Sequence, residues 1–125
     1  MAKKRDGCPT LFLLHIVGKR WTIPLVEILY SSRGSMQFNS IQVLLGDVSP
    51  KNLSVSLREL TDAQIIKRRE SKRGGVLHTG YSLTKKGIAL EGFIRNAKGL
   101  GVCIYDMDPN CINRQCNLCA SLKAR

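Results

Sequence analysis

Long apolar runs are missing from this chain. The longest, Leu11 to Val17, covers seven residues and contains His15, whereas a helix that crosses a bilayer needs about 20. A membrane-spanning helix, and with it a membrane partner, is excluded from the reading. Lys3, Lys4 and Arg5 are not followed by an apolar core or a small-residue cleavage site, so no secretory signal is expected and the chain reads as cytoplasmic. Histidine is scarce too. His15 lies in the apolar run, as a core or dimer-interface residue, and His78 lies on a strand where it is expected to be exposed; neither has a nucleophile or carboxylate pattern beside it. No glycine-rich phosphate loop follows a strand. Enzymatic chemistry is not expected.

Acidic residues are the third shortage. Nine Asp and Glu face twenty Lys and Arg, for a net charge of +11. A folded domain this basic attracts polyanions, nucleic acid first among them. The surplus is uneven: +4 over residues 1–20, −1 over 21–65, +7 over 66–98 and +1 over 99–125. Clustering in 66–98 points to a directed patch rather than a generally soluble surface. The remaining composition, 43% hydrophobic and 23% charged in 125 residues, is that of one folded domain.

Periodicity lays out the elements. Apolar residues recur at helical spacing over Thr10–Val17, with Leu11, Leu14, Ile16 and Val17 facing inward, and Gly18 ends the run. A second helix is predicted over Arg20–Tyr30, with Pro24 tolerated in its first turn, and a third over Phe38–Leu45, with Phe38, Ile41, Leu44 and Leu45 on one side. After Gly46 and Asp47, Ser49-Pro50 restarts a helix that reaches about Asp62, because Ser accepts from orphan N–H groups and Pro suits the first helical position. Ile65–Glu70 and Val76–Leu83 read as strands around Gly74-Gly75, a hairpin signal. Thr84 caps a last helix over Lys85–Lys98, with Ile88, Leu90, Phe93 and Ile94 as its apolar contacts. Residues 99–125 read as an irregular, cysteine-bearing extension.

Two short helices joined by a tight turn and followed by a basic hairpin describe an α+β fold, a winged helix-turn-helix that is mostly helical with a wing of two to three strands. The fourth helix then occupies the recognition position, in the major groove of double-stranded DNA. At about 100° per residue, Leu53, Leu57 and Leu60 form one narrow stripe, and Arg58, Lys51, Val55 and Asn52 fall on the other side, with Ser54 on the shoulder. Lys51 suits guanine or a phosphate, Asn52 suits adenine, and Val55 suits a thymine methyl. Ser49 and the free N–H groups of the helix start suit a phosphate. In the hairpin, Lys67, Arg68, Arg69, Lys72 and Arg73 make a dense basic wing, of which Arg69, Lys72 and Arg73 are the candidate DNA contacts. Lys85 and Lys86 oppose a helix dipole, a cost that a nearby phosphate relieves.

These residues carry a resemblance. Cys8-Pro9, Gly18-Lys19-Arg20-Trp21, Leu25 to Leu29, Gly34, Phe38 to Ile41, Val48-Ser49-Pro50-Lys51-Asn52-Leu53, Leu57-Arg58-Glu59-Leu60, Ile65-Ile66, Tyr81-Ser82-Leu83-Thr84 and Gly87 stand in one order and spacing. Over about residues 8–95 the chain resembles the HxlR-type winged-helix transcription regulators, relatives of the MarR group. The resemblance implies a homodimeric DNA-binding regulator, residues 1–98 forming the DNA-binding domain with dimerisation helices at both ends, here Thr10–Val17 and Lys85–Lys98. Three features depart from the family pattern. Gln37 stands for the usual Arg, Gln64 for the usual Gly before the first wing strand, and the wing from Arg69 to Gly80 lacks the usual proline. The resemblance also makes Cys8 a redox- or electrophile-sensor candidate, with a buried structural cysteine as the alternative.

Four of the five cysteines lie in the extension. Cys103, Cys111, Cys116 and Cys119 are separated by seven, four and two residues. They could close a zinc site, for which Cys116 and Cys119 make a usual half and the wider first half does not. Disulfides or free thiols are a second option, and an iron–sulfur cluster a third. No cofactor is certain. A different functional class also fits the chain, a winged-helix protein-interaction module with the cysteine tail as a structural zinc clasp.

Overall fold

Capping residues and leucine periodicity carry most of the architecture. The computed structural model describes residues 7–106. Its elements run α1 (Pro9–Val17), α2 (Thr22–Ser32), β1 (Met36–Gln37), α3 (Phe38–Leu45), α4 (Pro50–Asp62), β2 (Ile66–Arg73), β3 (Val76–Leu83) and α5 (Lys85–Tyr105). Pro9 and Pro50 each open a helix, where the missing N–H costs nothing. Ser49 accepts from the Asn52 N–H at 3.1 Å, and Thr84 accepts from the Gly87 N–H at 3.1 Å. Each satisfies one donor that a helix start leaves without a partner.

The three strands form an antiparallel sheet in the order β1-β3-β2. Arg73 pairs with Val76 across Gly74 and Gly75, whose φ values are +57° and +80°. Both central residues of this two-residue turn are left-handed, so glycine fits at no steric cost and the wing strands keep their twist. Helices α3 and α4 with the turn at 46–49, followed by this hairpin, make the fold a winged helix-turn-helix. Gly46 stops α3 at φ +81°, a conformation that strains any residue with a Cβ.

The core gathers one face from every helix. Trp21, Leu25, Ile28 and Leu29 of the α2 region meet Ile41 and Leu45 of α3, Leu53, Leu57 and Leu60 of α4, Ile66 of β2, and Leu90 and Ile94 of α5. Two carboxylates are buried with them. Lys98 donates to Glu27 at 2.7 Å and ties α5 to α2, while Arg95 donates to Glu91 at 2.6 Å within α5. A buried carboxylate left without its cation is costly, so the Lys98–Glu27 pair fixes how α2 and α5 lie together.

Several inward assignments are corrected. Leu11 and Leu14 on α1, Leu44 on α3 and Ile88 on α5 are all exposed, as is His15, which is therefore not a core residue of the single chain. Periodicity identifies an apolar face but not what covers it. The last helix also continues past Lys98 to Tyr105, through Gly99 and Gly101, so the 98/99 boundary falls inside a continuous helix and Cys103 sits on that helix. Strand β2 runs to Arg73 rather than Glu70. At Gln64, the departure from the family glycine has a physical cost, because its backbone is left-handed at φ +65°.

Gly87 is the tightest contact in the frame. A Cβ there would lie 2.3 Å from the Ile65 carbonyl oxygen and 2.8 Å from Leu83 Cδ2. Because the first obstacle is backbone, α5 would have to move off the α4–β2 junction. Gly87→Ala is therefore expected to lower the urea-unfolding free energy by about 3 kcal/mol. A loss below about 0.5 kcal/mol would contradict this packing.

Candidate nucleic-acid interface

The leucine stripe sets which way α4 faces. Leu53, Leu57 and Leu60 are 0–2% exposed, so the helix cannot rotate without bringing leucine into water, at roughly 1.5–3 kcal/mol for each one. Lys51, Asn52, Ser54, Val55 and Arg58 are all exposed as a result. The structure brings five of the candidate contacts onto the outer surface of one helix. Ser49 is exposed beside them, but its hydroxyl oxygen already accepts from the Asn52 N–H. Its contribution to a phosphate is therefore its hydroxyl proton. Glu59, next to Arg58, is held by Lys19 at 3.7 Å.

Strand register divides the wing. Ile66 pairs with Leu83, and Arg68 with Tyr81, on the sheet face that packs on the core. Arg69 pairs with Gly80, Ser71 with His78 and Arg73 with Val76 on the opposite face. Side chains alternate along a strand, so Lys72 lies on the face of Arg68 and away from Arg69 and Arg73. The three wing candidates are not one cluster. Arg68 is committed as well: Glu70 lies 2.9 Å from its guanidinium, and the Tyr81 hydroxyl, the main influence, holds its pKa above the usual value.

Arg69 and Arg73 share a polar groove of about 430 Å³ with Ser35, Gln37, His78 and Thr79. Gln37 Nε2 lies 3.1 Å from His78 Nδ1, which joins β1 to the wing. Ser35, Gln37 and His78 are absent from the sequence-based site. Strand β1 has only two residues, too few for a periodic signal, and only its pairing with Tyr81 and Gly80 places them there. Among the described residues the groove lining holds two arginines and no carboxylate, a surface suited to phosphate oxygens.

The model of the HxlR-like helix-turn-helix family matches residues 16–106. The chain belongs to this family. It is 30% identical over 97 residues to the HTH-type transcriptional regulator YybR of Bacillus subtilis (strain 168), a match covering 78% of this chain and 75% of YybR. Among solved structures, the reduced form of the transcriptional regulator YodB from B. subtilis matches with a TM-score of 0.71 at 25% identity, over 79% of this chain and 95% of YodB. The redox regulator HypR in its reduced form matches with a TM-score of 0.68 at 26% identity, over 79% of this chain and 95% of HypR. Like its relatives in the HxlR-like family, the chain is a transcriptional regulator of helix-turn-helix type and not an enzyme.

Cys8 and Cys103 are the cysteines among the described residues. Cys8 precedes α1 and is exposed, which removes the buried structural alternative. The N–H groups of Leu11 and then Thr10 at the helix start lower its pKa, although no conventional capping bond forms. It opens onto a groove of about 560 Å³ walled by Phe12, Leu13, Leu90 and Phe93, with Lys86 at the edge. Lys3, Lys4 and Arg5, the cations nearest in sequence, lie outside the described residues, as do Cys111, Cys116 and Cys119. Cys103 is exposed on α5.

A lowered pKa leaves more thiolate at a given pH, and the thiolate is the nucleophile. Alkylation of Cys8 by iodoacetamide, followed by peptide mass spectrometry across pH, is expected to reach half-maximal rate at a lower pH than alkylation of glutathione. A midpoint at or above that of glutathione would remove the basis for an activated thiol.

Proposed function

We propose that this regulator acts in the cytoplasm as a homodimer on double-stranded DNA, with α4 in the major groove and the face of Arg69 and Arg73 on the backbone beside it. The observation that carries this reading is the fixed rotation of α4, which buries Leu53, Leu57 and Leu60 and leaves Lys51, Asn52, Ser54, Val55 and Arg58 outward together. Phosphate contacts position a protein and base contacts specify the sequence. Asn52 and Val55 supply base readout, and Ser49, Arg58, Arg69, Arg73 and, on the other wing face, Lys72 supply phosphate affinity. Lys51 reaches either.

The dimer reading rests on uncovered apolar surface. Leu11 and Leu14 on α1 are 67% and 49% exposed, and Leu100, Ile104 and Tyr105 at the far end of α5 are 60%, 59% and 73% exposed. Ile94 is the last buried residue of α5, so the helix carries these side chains beyond the core that the described residues form. Surface of this kind marks an interaction site. Two copies joined there would present two α4 helices to a pseudo-palindromic operator.

Cys8 is the proposed signal input. Exposure, a lowered pKa and an adjoining apolar groove suit a thiol that reacts with an oxidant or electrophile. Structures of YodB treated with diamide and of HypR in its oxidized form show relatives of this fold in oxidant-treated and oxidized states. Zinc at Cys103, Cys111, Cys116 and Cys119 stands as a separate proposal, supported by ligand type and by the spacing of Cys116 and Cys119.

Fluorescence anisotropy with a site selected from random duplexes tests the DNA reading. Affinity is expected to fall steeply with salt. Asn52→Ala is expected to cost about 1–3 kcal/mol on the selected site and little on unrelated duplex. Arg69→Ala and Arg73→Ala are expected to weaken both duplexes alike and to lower the salt slope by about one each. Binding without salt dependence, or no preference for any duplex sequence, would favour the protein-interaction module instead, and a site preference that survives Asn52→Ala unchanged would remove Asn52 from base readout.

A further inference from the structure

One titratable ring, the imidazole of His78, lies in the groove beside Arg69 and Arg73. Strand register sets its surroundings. Ser71 pairs directly with His78, and Arg69 and Arg73 stand two residues to either side of Ser71 on the same strand face. His78 therefore has an arginine at each diagonal position, within reach of long side chains. Ser35 and Gln37 complete the lining from the β1 side. Among the described residues that line the groove, the two arginines are the only charges beside the ring. The Gln37 amide nitrogen is a donor, so at 3.1 Å the Nδ1 of a neutral ring accepts from it. The other ring nitrogen, Nε2, then carries the proton, and it has no hydrogen-bond partner among the described residues.

We propose that His78 is a phosphate contact that takes up a proton when this groove meets the DNA backbone, so that the regulator holds DNA more tightly as pH falls from about 8 to about 6. This rests on the placement of the Arg69 and Arg73 face on the backbone. The three side chains share one face of the β2–β3 pair, so a backbone lying along the strands meets them in succession. Histidine is the side chain whose charge ordinarily changes in this pH range. A hydrogen bond from a charged imidazolium to a phosphate oxygen is roughly twice as strong as one from the neutral ring. The bound phosphate thus favours the charged ring, and the solvent supplies the proton. By linkage, binding that takes up a proton strengthens as pH falls. Gln37 accommodates both charge states. Its Nε2 donates to Nδ1 of the neutral ring, and once Nδ1 gains a proton a turn of the amide presents Oε1 as the acceptor. The Arg usual in the family at position 37 has no acceptor, and its fixed charge would oppose a protonated neighbour. The departure at Gln37 is what lets the groove carry a titratable cation.

Fluorescence anisotropy of the full chain at fixed ionic strength, with the selected site and with an unrelated duplex, compares about pH 6 with about pH 8. Both duplexes are expected to bind about three- to tenfold more tightly at the lower pH, alike because the contact is to backbone. His78→Gln is expected to remove most of this difference, which separates His78 from His15 and Cys8, and Gln37→Arg is expected to flatten it as well. Calorimetry in two buffers of different ionisation enthalpy is expected to show proton uptake by the unaltered chain that His78→Gln lacks. Circular dichroism at both pH values checks that the variants are folded. Salt-dependent binding with equal affinity at the two pH values, no proton uptake by the unaltered chain, or a pH effect undiminished in either variant overturns the proposal and leaves the DNA reading standing. Absence of duplex binding at both pH values overturns the two together.

Discussion

Burial of Leu53, Leu57 and Leu60 in the shared core is the constraint on which the interface depends. Stability and function here are two sides of one helix. The stripe is narrow, so rotating α4 by one residue would expose leucine on one side and bury Lys51 or Arg58 on the other, and both changes are unfavourable. The core therefore aims the outward residues without any of them contributing to the core. Ser49 and Pro50 fix where the helix begins, and hence which residues occupy its first two turns.

The wing depends on a different constraint, strand register. Gly74 and Gly75 hold a two-residue turn, and the pairing of Arg73 with Val76 then determines the face of every side chain along β2 and β3. One face rests on the core through Ile66, Tyr81 and Leu83, with Arg68 engaged by Glu70 and Tyr81. Arg69 and Arg73 are left on the other face, beside Gln37 and His78. The charge concentrated in residues 66–98 thus divides into cations engaged by the protein itself and cations turned to an open groove. Net charge alone does not distinguish the two.

Much of this was legible in the sequence, for identifiable reasons. The α4 stripe has three leucines at helical spacing and a capping pair at its start, so periodicity and capping agree. The hairpin has paired glycines between strand-like runs. Coverage was not legible. Leu11, Leu14, Leu44 and Ile88 have the spacing of core residues but stay exposed among the described residues. The full extent of α5 was not legible either: the expected helix stops at Lys98, whereas the helix runs on through Gly99 and Gly101 to Tyr105. Strand β1 was too short to give a period, and so the Gln37–His78 contact was hidden as well. At Gln64, which departs from the family glycine, the left-handed backbone supplies the reason glycine suits that position.

Half-site spacing tests the central claim most directly, since it needs two α4 helices held at a fixed separation by one dimer. The measurement is affinity for the selected pseudo-palindrome after inserting base pairs at its centre. One helical turn of DNA is about 10–10.5 base pairs, so an insertion of about half a turn puts the second half-site on the opposite face of the duplex. The account predicts that this insertion reduces binding to that of a single half-site. Affinity unchanged by the half-turn insertion would contradict a rigid dimer reading DNA through paired recognition helices.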